Sequence, residues 1–238
     1  MNKLKLLLLL VSLNLYTADN EIYIDQSGAT SNLDIEQVGG SGNIIGGSDA
    51  TAGASNMTPL DLDGSTMTLD ILQKGSTNKF LGDIWADNYT GYFSFIGDSN
   101  TFNMSTDETN ATGADGSNVN VQVTGNTNTM TLNHAMTALA ANLDLDWIIQ
   151  GGGNSITAAI DVDGATNYMD IDGDDNTITY DGDGYAGGYF YLDHTGSDRT
   201  FNIDQESALD NDWLKIISSG SNGTVCVTQS DSTTSFVC

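Results

Sequence analysis

Closely spaced aspartates are the residues of this chain best suited to chemistry. Asp161-Val162-Asp163-Gly164 is followed by Asp170-Ile171-Asp172-Gly173-Asp174-Asp175 and by Asp181-Gly182-Asp183-Gly184, and Asp61-Leu62-Asp63-Gly64 has the same form. Calcium takes several hard oxygen ligands, and neighbouring carboxylates supply them. Asp161, Asp163, Asp170, Asp172, Asp174, Asp181 and Asp183 are therefore candidate calcium ligands. The order differs from an EF-hand loop, because glycine comes at the fourth place and not the sixth. The glycine-rich calcium nonapeptide also lacks a clear match. The same residues suit a solvated acidic face, and both readings stand. No other cofactor is expected.

Catalysis has less to draw on. The two histidines are His134 and His194, and no nucleophile motif accompanies them. Arg199 is the sole arginine, which leaves few groups to stabilise a developing anion. An enzyme is not expected. Trp85, Tyr89, Tyr92, Tyr185, Tyr189 and Tyr191 could present rings to a glycan, or pack beneath loops.

The elements that would position these residues follow from a repeat. A glycine followed three residues later by asparagine recurs as Gly75/Asn78, Gly97/Asn100, Gly125/Asn128, Gly151/Asn154 and Gly173/Asn176. Gly196/Arg199 and Gly220/Gly223 continue it in degraded form. The glycine suits a turn position that needs positive φ, and the asparagine can bond the turn backbone or stack as an amide ladder between coils. The glycines stand 22, 28, 26, 22, 23 and 24 residues apart. On both sides apolar and polar residues alternate, as in Met67, Leu69 and Ile71 before Gly75 and Phe80 and Ile84 after Asn78. Period-two alternation places one set on one face of a strand. Each unit is a strand, a tight arc and a second strand, and it cannot bury its apolar face alone. Stacking units about 4.8 Å apart pairs every strand above and below. The expected fold is all-β, a β-solenoid of about eight coils. Phe80, Phe102, Ile156, Ile178 and Phe201 should share one inner column. Only Ala135 to Ala141 could form a local helix, and a Gly/Ala/Ser/Thr-rich loop is expected near 46–57.

Residues 1–18 combine a basic head, Lys3 and Lys5, with an apolar run from Leu6 to Leu15 and a small Ala18, which reads as a signal peptide. The expected domain is then 19–238, secreted to the exterior or the cell surface, with no later transmembrane span. Losing Lys3 and Lys5 from six basic residues leaves four against 32 acidic ones, a net charge of about −28. Nucleic acid and anionic membranes are poor partners for such a surface. Cys226 and Cys238 are the only cysteines, and in an exported chain they are expected to form a disulfide across the last coil.

Gln73-Lys74-Gly75-Ser76-Thr77-Asn78, with Ser65, Leu69 and Ile71 before it, resembles the curlin repeat, whose core is Gln-x-Gly-x-x-Asn in a period of about 22. Gln26-Ser27-Gly28 and Gln37-Val38-Gly39 match its first half, 11 residues apart. Later units replace the glutamine by Phe95, Val123, Ile149, Ile171, His194 and Ser218. The resemblance implies a subunit of an extracellular amyloid fibre that supports adhesion and biofilm, self-associating through its end coils. The alternative is a monomeric surface adhesin or glycan-binding appendage, with a polysaccharide-active enzyme behind it.

Overall fold

The computed structural model describes residues 21–230 apart from 29, 47–59, 87, 107–115, 135–139, 185–186 and 208–211. Every regular element among them is a strand. The chain enters through Glu21–Ile22 (β1) and Asp25–Ser27 (β2), crosses as Thr30–Ser41 (β3), and returns as Ile44–Ile45 (β4) and Leu60–Gly64 (β5). Regular pairs follow: Thr66–Ser76 (β6) with Lys79–Ala86 (β7), Thr90–Ile96 (β8) with Thr101–Thr106 (β9), and Asn118–Thr124 (β10) with Thr129–His134 (β11). Ala140–Ala141 (β12) is a short addition. Then come Asp144–Gln150 (β13) with Ser155–Asp163 (β14), Thr166–Asp172 (β15) with Thr177–Gly184 (β16), and Tyr189–Thr195 (β17) with Arg199–Ser207 (β18). Trp213–Ser219 (β19) and Gly223–Ser230 (β20) complete the stack.

These strands form two parallel sheets. The front sheet has eight strands in the order β19-β17-β15-β13-β10-β8-β6-β3. The back sheet has twelve, along the path β1-β4-β7-β9-β11-β14-β16-β18-β20, with β2, β5 and β12 beside it. From β6 onward the long strands alternate between sheets, with the short β12 as an addition to the back one, so the fold is an all-β solenoid. About six coils, β6–β7 to β17–β18, are regular, against the expected eight. The first coil is split into short pieces and the last leaves its inner face open, so neither closes as the middle ones do.

The register follows the sequence pattern. Phe80, Phe102, Met130, Ile156, Ile178 and Phe201 form one inner column. Ile71, Phe93, Val121, Trp147, Met169 and Leu192 face them from the front sheet. All are nearly or fully buried. Phe80, Phe93 and Phe102 meet edge-to-face across the thin core at 5.0 and 5.2 Å, and Trp147 meets Phe102 at 6.1 Å. Such pairs add about 0.5–1.5 kcal/mol each beyond their buried area.

Residues 1–18 and the loop from 47 to 57 lie outside the described residues. Of the segment 135–141, Ala140 and Ala141 are strand, not helix. No described helix is long and apolar enough to cross a membrane.

Candidate functional site

The most regular polar feature is the arc between the sheets. Gly75, Gly97, Gly125, Gly151 and Gly173 take φ from 133° to 149°. A Cβ on Gly97, Gly125, Gly151 or Gly173 would overlap the carbonyl oxygen of the preceding arc's glycine. Glycine is therefore required both by φ and by the approach of the coil below. The third arc residue also turns left-handed, at Thr77, Ser99, Thr127 and Asp175 with φ of 56–60°. Only the glycine was expected to do so. The strain at these side chains is offset by a coil-to-coil bond, since Thr77 N–H donates to Asp98 O at 2.9 Å and Ser99 N–H to Asn126 O at 2.9 Å.

The asparagines close each arc and join it to the next. The Asn100 side-chain amide donates to Gly97 O at 2.6 Å, while its Oδ1 accepts the Asn78 N–H at 2.9 Å. Asn154 does the same with Gly151 O at 2.7 Å and the Asn128 N–H at 2.9 Å. Asn78, Asn100, Asn128, Asn154 and Asn176 are buried. Fully satisfied, such a buried ladder specifies one register. Asn43 extends it to the first coil, donating to Asn78 Oδ1 at 2.9 Å. Gly40 stands three residues before Asn43, so the spacing was present in the sequence, although the side-chain amide bonds Gly39 O, four residues back. Gln37 and Gln73 form an amide pair, with Gln73 Nε2 donating to Gln37 Oε1 at 2.7 Å. Gln26 lies in the other sheet, on β2 opposite Leu62.

The aspartates are dispersed. Asp161, Asp163, Asp181 and Asp183 lie on the back sheet, Asp170 and Asp172 on the front sheet, and Asp174 in an arc. No three described acidic, histidine or cysteine side chains are gathered to hold a metal ion. Stacking does align carboxylates, because Asp161 faces Asp183, which faces Glu206, while Asp181 faces Asp204. Partial burial first, then mutual repulsion, raises the pKa of Asp161, Asp183, Asp204 and Glu206 above the usual carboxylate range.

Both histidines are core residues. His134 Nδ1 lies 2.7 Å from Thr106 Oγ1 and 3.4 Å from the Tyr89 hydroxyl. His194 packs its ring edge-to-face on Phe201 at 5.0 Å, and burial, followed by the charge of Arg199, lowers its pKa. Tyr89 is buried; Tyr92 and Tyr189 are exposed. The side chain of Trp85, and Tyr185, lie outside the described residues. Tyr189 and Tyr191 belong to a larger group that register alone reveals. Tyr189 stacks on Trp213 at 4.2 Å and 3°, and Tyr168 on Tyr191 at 5.1 Å and 7°. Rings stacked at the strand spacing lie across the solenoid axis.

The two ends differ from the middle. In the last coil the inner-column residues Val225 and Val227 are 46% and 42% exposed, whereas Phe201 and Ile203 below them are 0% and 2%. Cys226 lies on β20 opposite Asn202, and Cys238 lies outside the described residues. At the other end Ile22, Ile24 and Leu33 are only partly buried. No family model, no curated protein and no solved structure matches the chain.

Proposed function

We propose that this protein is a secreted structural subunit that adds to copies of itself through its end coils and builds an extracellular fibre, as its likeness to curlin repeats implies. One observation carries this reading. The inner column that is dry through the regular coils ends at Val225 and Val227, open to solvent. Both strands of that coil are also edges, with Trp213–Ser219 terminating one sheet and Gly223–Ser230 the other. An unpaired strand edge above an open apolar column is a template for another coil. The arc ladder supports the same reading, because it makes every middle coil a near copy of its neighbour. A Cys226–Cys238 disulfide would tether the tail beside this end.

The test is electron microscopy of the mature protein, from residue 19 onward, incubated at high concentration with and without preformed seeds. Unbranched fibres whose growth is seeded support the proposal. A protein that stays monomeric for days in salt and at pH 4 would overturn it.

A further inference from the structure

The ends carry more than exposed edges, because they complement one another in charge. The last coil, from Trp213 to Ser230, contains no acidic residue and one lysine, Lys215, in a chain of net charge −26. The first coil, from Glu21 to Ile45, contains Glu21, Asp25, Asp34 and Glu36 and no basic residue. From this polarity and the register of the sheets we infer the site that each end binds: the tail coil accepts the head coil of a second copy, parallel and in continuous register. The inference rests on the fibre reading and specifies its interface.

The register is obtained by extending each column by one rung. In the front sheet one column runs from Leu33 through Leu69 to Phe190 and Leu214, and another from Ile35 through Ile71 to Leu192 and Ile216. A second copy continuing the sheet therefore sets its Leu33 on Leu214 and its Ile35 on Ile216. In the back sheet Ile22 precedes Ile45 and Phe80 in the column that ends at Val225. Ile24, next to Asp25 and bonded through its carbonyl to Asp61, stands at the head of the column that ends at Val227. Its copy would cover Val227, as Ile22 would cover Val225. The four inner apolar positions of the tail, Leu214, Ile216, Val225 and Val227, then each meet an apolar residue of the head, while the outward Trp213 and Ile217 fall on Asn32 and Glu36. Gln26 and Gln229 also share a column, ending it in an amide at both ends. The pair would form the amide contact that Gln37 and Gln73 make inside the chain.

The outer face supplies the orientation. Lys215 and Asp34 end the same front-sheet column, so Lys215 receives the second copy's Asp34 as its rung neighbour. Its ammonium already lies 5.1 Å from the Tyr191 ring centre, held by the coil beneath. Tail-to-tail contact would oppose two lysines across the joint, and head-to-head contact would oppose two acidic coils. Only head-to-tail contact pairs opposite charges, and only it keeps the strands parallel. Like-charge juxtaposition against wrong partners is a common source of specificity.

Two experiments test the register on the mature protein. In a Cys226→Ser, Cys238→Ser background, Asp34→Cys with Lys215→Cys places two thiols on adjacent rungs. Strands are about 4.8 Å apart, within the Cα range of a disulfide. Mild oxidation of fibres should give a covalent ladder of multimers, and the displaced pair Asp34→Cys with Ile217→Cys should not. Separately, Lys215→Glu should slow seeded elongation about tenfold, and adding Asp34→Lys should restore it. Either result from the designed pair and not from its control supports the interface. Variant fibres that give cross-links equally from both pairs, and no charge-swap rescue, would overturn the register while leaving fibre formation intact. A wild type that forms no fibre would remove both. If the cysteine variants fail to assemble, the charge swap alone decides, with self-seeded elongation of the Asp34→Lys, Lys215→Glu double variant against that of Lys215→Glu as the readout.

Discussion

Two valines and the residues beneath them show what the middle of this solenoid has and its end lacks. Phe201 and Ile203 lie in the sixth and last of the regular strand pairs and are sealed; Val225 and Val227 continue the same columns and are open. All four occupy the inner side of a strand. What separates them is a coil above. Burial here is a property of the neighbour, not of the residue, as expected of a fold in which each unit contacts only adjacent units. The most direct way to break the comparison is to place a charge at each site. Phe102→Asp would put a carboxylate among Phe80, Phe93, Phe95 and Trp147, and should cost about 4 kcal/mol or more. Val227→Asp should change monomer stability by less than about 1 kcal/mol, since the new carboxylate stays hydrated. Urea unfolding of the two variants measures both. Equal losses would mean that the end is as closed as the middle.

A second contrast separates glycines. Gly125→Ala must accept φ of 144° and drive a methyl group into the Gly97 carbonyl. Gly39→Ala has φ of 90° but open space around the added carbon. The first should cost about 3 kcal/mol and the second about 1 kcal/mol, the backbone strain alone. Thermal melts that rank them in reverse would refute the close-stacking account of the arc.

The ladder offers a smaller effect that sharpens the same contrast. Asn128→Ala removes the acceptor of the Asn100 N–H, 2.7 Å away, and leaves a buried donor unpaired. A loss of about 1–3 kcal/mol is expected. In the last arc Gly223 occupies the ladder position and has no amide to lose; Asn222→Ala, at the exposed third arc position, removes no ladder bond and should cost about 1 kcal/mol or less. Denaturation midpoints at unchanged slope would report the difference.

Much of this architecture was legible because a period of two is hard to mistake when it recurs on both sides of a spaced glycine. The alternation around Gly75 and Gly97 is enough to assign faces, and faces assign the Phe80–Phe102 column. The asparagines were legible as turn or ladder residues because a short amide beside a glycine suits both tasks. Other features were not legible, for physical reasons. The left-handed Thr77 and Ser99 have no glycine to announce them; their strain is relieved by bonds to the next coil. Tyr168 and Trp213 join Tyr191 and Tyr189 only through the register, with 23 or 24 residues between rungs. The aspartates suggested a metal because they are close in sequence; alternation does keep Asp161 with Asp163, Asp170 with Asp172 and Asp181 with Asp183 on shared faces, but the strands that carry them belong to two sheets and Asp174 lies in an arc. The acid-free last coil was in plain view in the sequence; its meaning depended on knowing that Lys215 and Asp34 end one column.

The smallest expected effect concerns pH and sets the acidic middle against the neutral tail. Asp161, Asp183, Asp204 and Glu206 have pKa values raised in the fold, chiefly by partial burial and then by neighbouring carboxylates. A raised carboxylate holds more protons in the native state than in the unfolded one across the window just above its ordinary value, 3.8 for aspartate. Stability therefore falls as pH rises through that window and stays low beyond it. At pH 7 the full cost is present, and acidification toward pH 4 should relieve it. His194 acts in the opposite sense. Its pKa is lowered, so the stability it contributes is present above 6.5 and declines as pH falls through its folded value. The melting temperature should therefore rise by about 2 °C between pH 6 and pH 4.5, with the carboxylates outweighing one histidine, and by less in high salt. His194→Gln should steepen the rise by removing the opposing group. The quadruple variant with Asp161, Asp183 and Asp204 changed to Asn and Glu206 to Gln should flatten it. A melting temperature that falls steadily from pH 6 to pH 4.5 in the wild type would show that the stacked carboxylates are better solvated than their columns imply. Elongation should respond more steeply than melting, because acid relieves the repulsion between whole chains of net charge −26.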